Sequence, residues 1–176
     1  MGINLKFQVS INRTCPGEKL PQGDPRHPEY HGAFHPELHT PESFLAAIQQ
    51  GKAFCAELLT GDCGREHHGL KWCCKERRDR GDPAHCGRPD RYRVSWHFLS
   101  SQVLALDVDG GNLSVEDLME DRFIARYATF IYPTISWTPE NQKWRVVFIL
   151  TEAITDAQVY RNSATALLDR YETTDQ

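Results

Sequence analysis

The stretch that decides the fold is Gln102-Val-Leu-Ala-Leu-Asp107-Val108-Asp109-Gly110, an apolar run of strand type that ends in two acidic residues. Downstream, Ser114–Tyr127 reads as one helix, with Ser114 and Asp117 as a capping box and Val115, Leu118 and Phe123 among its apolar positions. Ala128–Ile135 and Trp144–Leu150 (WRVVFIL) read as two more strands, joined by the turn-rich stretch Thr138-Pro-Glu-Asn-Gln-Lys143. Thr155 is expected to cap a last helix, with Gln158 completing a second box and Val159, Ala166 and Leu167 facing inward. The order β-α-β-β-α lacks one strand of the ferredoxin-like unit. The predicted class is therefore α+β, with an RRM/ferredoxin-like core over residues 96–176 that is cut where its last strand should begin.

Working toward the N-terminus, residues 61–95 break the pattern. Gly61–Arg93 holds few aliphatics but nine of the chain's 20 Lys and Arg (Arg65, Lys71, Lys75, Arg77, Arg78, Arg80, Arg88, Arg91 and Arg93), along with most of its cysteines. Such a segment cannot pack a core of its own, whereas a tetrahedral zinc would organise it, because metal-ligand free energy substitutes for burial. Residues 1–60 form an N-terminal α/β part. LKFQVSI reads as a strand and Cys15–Pro41 as a long loop. His27, His31, His35 and His39 recur there every fourth residue, but Pro25, Pro28 and Pro36 forbid a regular helix. Thr40 then caps a helix with Pro41 at its first position, Phe44, Leu45 and Ile48 on one face, and Gly51 as its stop.

The whole chain, 176 residues with 20 Lys+Arg against 24 Asp+Glu and a net charge of −4, is long enough for one domain with a small appendage and too short for two full-sized enzyme domains. Its average charge gives no argument for nucleic-acid binding, and the insert shows that the average conceals a local basic patch. No run reaches the roughly 18 apolar residues that read as a membrane span, and MGINLKFQVSINRTC lacks the layout of a secretory signal. A soluble cytoplasmic protein is expected, in which disulfides are disfavoured and clustered Cys and His read as metal ligands or buried thiols.

Side chains alternate along a strand, so Asp107 and Asp109 share one face. Two carboxylates so close repel each other, and a divalent cation removes that repulsion; hard oxygen ligands of this kind suit Mg²⁺ or Mn²⁺ bridging a nucleotide's phosphates. A strand-end turn built on Asp-Gly is the plain structural alternative. Arg145 stands in an otherwise apolar run, sharing a face with Val147 while Val146 and Phe148 share the other. It either pairs with a buried carboxylate or projects beside the aspartates, where its fork of donors suits a triphosphate. The string LDVDG is also similar to the hhhDxDGT start of haloacid-dehalogenase-like phosphatases, although Gly111 stands where that motif has Thr and only 67 residues follow Asp109.

Taken together, Phe54-Cys55-Ala-Glu-Leu-Leu, SSQVLALDVDGG and ATFIYPTISWTPENQKWRVVFILTEAITDAQVYRNSATALLDRYETTDQ resemble the primase–polymerase domains of the archaeo-eukaryotic primase superfamily, in the versions carried by phages, plasmids and other mobile elements. The resemblance covers most of the chain from Ala53 onward, apart from the insert. It implies a template-dependent nucleotidyl transferase that makes primers on single-stranded DNA from nucleoside triphosphates. Asp107 and Asp109 would hold the catalytic Mg²⁺ or Mn²⁺, Asp175 would supply a third acidic group, and Ser136, Lys143 and Arg145 would bind the nucleotide. Trp137 and Thr138 stand where the family's Ser-x-His motif would carry on to histidine. The family also implies a zinc stem, for which Cys63, His68, Cys74 and Cys86 are chosen, with His67, Cys73 and His85 as close substitutes. A helicase partner is common in similar proteins, and the chain reads as an N-terminal fragment. The other classes kept open are an aspartyl-phosphate phosphatase and a non-catalytic zinc-containing nucleic-acid-binding module.

Overall fold

A computed structural model describes residues 5–13, 15, 21, 24, 34–59, 98–109 and 113–172. The insert, Asp175 and all the expected zinc ligands (Cys63, His68, Cys74 and Cys86, with His67, Cys73 and His85) lie outside the described residues. Two antiparallel sheets and four helices make up what is described, a mixed α+β architecture. No helix among these residues is long and apolar enough to cross a membrane.

The first sheet has the order β2-β1-β3, built from β1 (Phe7–Asn12), β2 (Phe34–His39) and β3 (Ala53–Cys55). β2 falls inside the stretch expected to be loop. Its Pro36 stands opposite Ser10, and the strand tolerates a residue without an N–H because it lies at the sheet edge. Helix α1 (Pro41–Gln49) is as expected. Thr40 and Ser43 form a reciprocal capping box, Pro41 occupies the first turn, and Gly51 takes a positive φ of 79° that a Cβ would resist.

The second sheet has the order β4-β5-β7-β6, from β4 (Glu57–Leu59), β5 (Phe98–Val108), β6 (Phe130–Pro133) and β7 (Trp144–Ile154). β5 and β6 are each antiparallel to the intervening β7, so they run parallel to each other and are joined by a crossover. β4, from the first 60 residues, pairs with β5 along Phe98–Ser101, on the flank away from β7. Ser101 fixes this junction. Its buried hydroxyl faces Ala56 O and Val103 O, each at 2.7 Å, beside the register shift in β5.

Strand alternation divides the core into two. Leu104, Leu106, Val146 and Phe148 pack on one face against Leu118, Ile124 and Leu167 of the helices. Val103 and Val147 on the other face meet Phe7, Val9, Ile11 and Phe44 of the first sheet and α1. At about 25 cal/mol per Å² of apolar surface removed from water, each layer supplies the favourable term that makes the arrangement cohere. Phe44 is central to the second cluster, meeting the rings of Phe7, Phe54 and Phe130 edge-on at 5.5, 4.9 and 5.7 Å.

The expected helix Ser114–Tyr127 is two helices, α2 (Val115–Glu120) and α3 (Arg122–Tyr127). Asp121 between them takes an extended ψ of 122° and caps α3, accepting from Phe123 N–H at 2.9 Å and Ile124 N–H at 2.8 Å. The same carboxylate accepts from Tyr171 Oη at 3.0 Å, tying the break to helix α4 (Ala157–Glu172). Asp121→Ala is expected to lower stability by about 1–2 kcal/mol through loss of the cap, read as a shifted denaturant midpoint at unchanged slope.

The cap of α4 is Asp156 and not Thr155. Its Oδ1 accepts from Gln158 N–H at 2.6 Å and Val159 N–H at 3.0 Å. Leu167 faces inward as expected, whereas Val159 and Ala166 are exposed. Those two N–H donors hold Asp156 below the usual carboxylate range. Ser114 hydrogen bonds do the same for Asp117. Desolvation raises Asp121, but the amides of Ile124 and Phe123, Tyr171 and Arg170 outweigh it. Because these folded values are depressed, the stability they contribute is present above the ordinary aspartate value of about 4 and is lost as pH falls through the folded values. Helical circular dichroism should therefore weaken below about pH 4, and less so in Asp156→Asn, which has no charge there to lose.

Candidate functional site

The site is built on the C-terminal end of β5, where the sheet emerges from under the first layer. Val103 is fully buried on that face, Ala105 is exposed, and the side chains of Asp107 and Asp109 are 46% and 57% exposed. The strand thus passes from core to open platform within a few residues. That is why an apolar run can end in two carboxylates without burying uncompensated charge.

Register then sets a row across three strands. Asp107 on β5 stands opposite Arg145 on β7, and Arg145 stands opposite Tyr132 on β6. Arg145 approaches Asp107 as a fork: Nε donates to Oδ1 and Nη2 donates to Oδ2 at 2.7 Å. Nη1 reaches Tyr132 Oη at 3.4 Å, and the guanidinium lies over the Phe54 ring, 5.6 Å from its centroid. Arg145 is therefore held on three sides, by a carboxylate, a phenol and an aromatic face. The Asp107 hydrogen bond raises the guanidinium further above its ordinary value, against partial desolvation, so it carries its charge at any working pH. Burial pushes the Tyr132 phenol up and the neighbouring Arg145 opposes it; the net rise keeps the hydroxyl protonated in the neutral range.

One step outward along the same face, Lys143 Nζ lies 3.5 Å from Asp109 Oδ2. Each aspartate thus has its own cation. Of the two arrangements open for Arg145, pairing with a buried carboxylate or projecting beside the aspartates, the structure has the second: it lies on the face of Asp107 and Asp109 and pairs with Asp107, which is half exposed.

Ser136 sits at the same end of the sheet, in the turn after β6 that is closed by Trp137 N–H donating to Thr134 O at 3.0 Å. Among the described residues no hydrogen bond joins Ser136 to Arg145 or to either aspartate. Trp144 belongs to the opposite, helix-covered face, where its ring packs 6.0 Å from that of Trp137. Trp144 therefore does not line the acidic platform.

Two members of the site escaped sequence reasoning as functional residues, Tyr132 and Phe54. Alternation in Phe-Ile-Tyr-Pro places Phe130 and Tyr132 on one face, but only the β6–β7 register puts Tyr132 beside Arg145. Phe54 comes from β3 in the other sheet, a contact that no local pattern announces.

Among the described residues, no three His, Cys, Asp or Glu side chains come together as a metal cage. The donor set here is two carboxylates at an open strand end. That suits Mg²⁺ or Mn²⁺, which take one or two protein carboxylates and complete their shell with water and substrate phosphate. No protein-family model, no curated protein and no solved structure matches this chain.

Proposed function

We propose that this chain is a template-dependent nucleotidyl transferase of the primase–polymerase type, acting on single-stranded DNA with nucleoside triphosphates. The observation that carries the reading is the pair of ion pairs, Asp107–Arg145 and Asp109–Lys143, side by side on a half-open sheet face. Two carboxylates suit a divalent metal and two cations suit a polyphosphate, and a metal–nucleoside triphosphate carries both complements. The parallel β5 and β6 with β7 between them, connected through α2 and α3 and followed by α4, support a ferredoxin-like core.

In this reading Asp107 and Asp109 hold the metal. When bound, the metal supplies charge neutralisation of the triphosphate and activation of the attacking 3′-hydroxyl. Arg145 turns its fork from Asp107 to phosphate oxygens, where charge grows during displacement. Tyr132 and Phe54 keep the guanidinium aimed along the platform, so little ordering remains to be done when nucleotide arrives. Lys143 adds a second cation beside Asp109, and Ser136 remains a candidate donor from the turn. The basic insert would grip the template by phosphate contacts, with binding that weakens as salt rises. Zinc held by Cys63, His68, Cys74 and Cys86 would organise that insert, and metal quantification on the purified chain tests it.

The phosphatase alternative demands a covalent aspartyl phosphate on Asp107. Incubation with fluoroberyllate and Mg²⁺ separates the two readings. A stable adduct at Asp107 supports the phosphatase, whereas Mn²⁺-dependent binding of deoxy- or ribonucleoside triphosphates without an adduct supports the transferase. A purely structural nucleic-acid module would bind DNA and zinc with no metal-dependent nucleotide binding.

A further inference from the structure

The proposed site is closed by its own charges. Asp107 has both oxygens engaged by Arg145, and Asp109 has Lys143 within ion-pair distance. A bare divalent cation that takes Asp107 competes with the guanidinium already held on both carboxylate oxygens and stands beside that second positive charge. A bare triphosphate that takes Arg145 must free Asp107 to face phosphate of its own sign. Each ligand alone meets a like charge, and the two together do not.

From this geometry we infer that Asp107–Arg145 is a latch that excludes divalent metal and nucleotide singly and admits them as one metal–polyphosphate unit. The inference rests on the proposed function of the site and deepens it, by fixing what the site recognises. Arg145 is suited to the exchange because Tyr132 and the Phe54 ring hold its other sides, so it can change partner without losing its position. Lys143, at a longer distance from the more exposed Asp109, adds a smaller share in the same sense.

Linkage gives the inference a quantitative form. If nucleotide strengthens metal binding by some factor, metal must strengthen nucleotide binding by that same factor. The experiment uses the full chain and Mn²⁺, whose free concentration is read by electron paramagnetic resonance, with a nucleoside triphosphate carrying a non-hydrolysable α,β-bridge. The expected result is Mn²⁺ affinity about 10-fold or more higher with the nucleotide than without it, matched by an equal rise in nucleotide affinity with Mn²⁺, both corrected for Mn²⁺–nucleotide complexes in solution.

Replacing Arg145 by Gln removes the competitor for Asp107. Mn²⁺ alone should then bind about 5-fold or more tightly than to the native chain, while the coupling to nucleotide collapses toward 1. Tighter Mn²⁺ binding follows from removing any cation beside the carboxylates; the simultaneous collapse of coupling is what a merely structural arginine would not produce. Unchanged or weaker Mn²⁺ binding by a folded Arg145→Gln chain overturns the latch. So does an absence of coupling in the native chain, a result that depends on no variant folding. Failure of the latch is distinguishable from failure of the functional reading, which is decided by nucleotide incorporation. Independent, uncoupled binding of metal and nucleotide by an active polymerase removes the latch and keeps the enzyme.

Discussion

Changing Arg145 to Ala is expected to reduce nucleotide incorporation about 10²–10³-fold, the usual effect of removing one donor aimed at developing charge. Asp107 is nearly half exposed, so it hydrates when its partner is lost and does not become a buried unpaired charge. Tyr132 loses only a 3.4 Å contact. The stability change should therefore stay near or below about 1 kcal/mol, in the range of partly exposed ion pairs. The loss should appear in both KM for nucleotide and kcat, because in the proposed function the fork would meet phosphate in the ground state and more strongly at the transition state. Arg145→Lys should recover only part of the activity, since an ammonium keeps the charge but not the two parallel donors. Steady-state incorporation at varied nucleotide, with thermal melts of each variant, checks both halves of the expectation.

The second large effect is expected from Asp107→Ala combined with Asp109→Ala. Removing both carboxylates removes every acidic ligand that the described part of the site offers to a metal, so incorporation should fall to background. Single-stranded DNA binding should be largely intact, because it is assigned to the basic insert and not to the platform. The double change leaves Arg145 and Lys143 without their partners, which raises the question of fold. Asp107→Asn with Asp109→Asn answers it: the amides retain the shape and accept hydrogen bonds from both cations, yet bind divalent metal poorly. Equal inactivity of the Asn and Ala pairs, with native-like melting of the Asn pair, locates the loss in the chemistry. DNA binding by fluorescence anisotropy, run at more than one salt concentration, checks the other half.

Much of the second sheet was legible from residue pattern because its strands alternate cleanly. Val146 and Phe148 on one face against Val147 on the other is an assignment that the two hydrophobic clusters bear out. Capping chemistry was equally readable at Thr40 and Ser114, where a short oxygen side chain and its reciprocal partner stand three apart. The misses have identifiable causes. β2 was hidden by Pro36, since a proline argues against a strand unless that strand is known to be an edge. The break at Asp121 was missed because the apolar period continues through Leu118 and Ile124, across the local cap that Asp121 makes to the amides of Phe123 and Ile124 and that Tyr171 reinforces from another helix. At Thr155-Asp156 two acceptable caps are adjacent, and where the helix starts, at Ala157, decides for Asp156.

The site itself divides along the same line. Alternation placed Asp107 and Asp109 on one face and singled out Arg145, all from local sequence. What could not be read is which residue stands opposite which, because register depends on the connections and the bulge between Ser101 and Val103. The folded arrangement turns four separate candidates, Asp107, Asp109, Lys143 and Arg145, into two charge pairs, and it brings in Tyr132 from β6 and Phe54 from the other sheet.

The most direct test of nucleotidyl transfer is primer synthesis by the full chain on an unprimed homopolymeric single-stranded DNA, with Mn²⁺ and each labelled deoxy- and ribonucleotide in turn. The account predicts polymer only from the nucleotide complementary to the template, abolished by chelation and by the Asp107 and Asp109 double change. Product of equal length and yield from the double variant would contradict it.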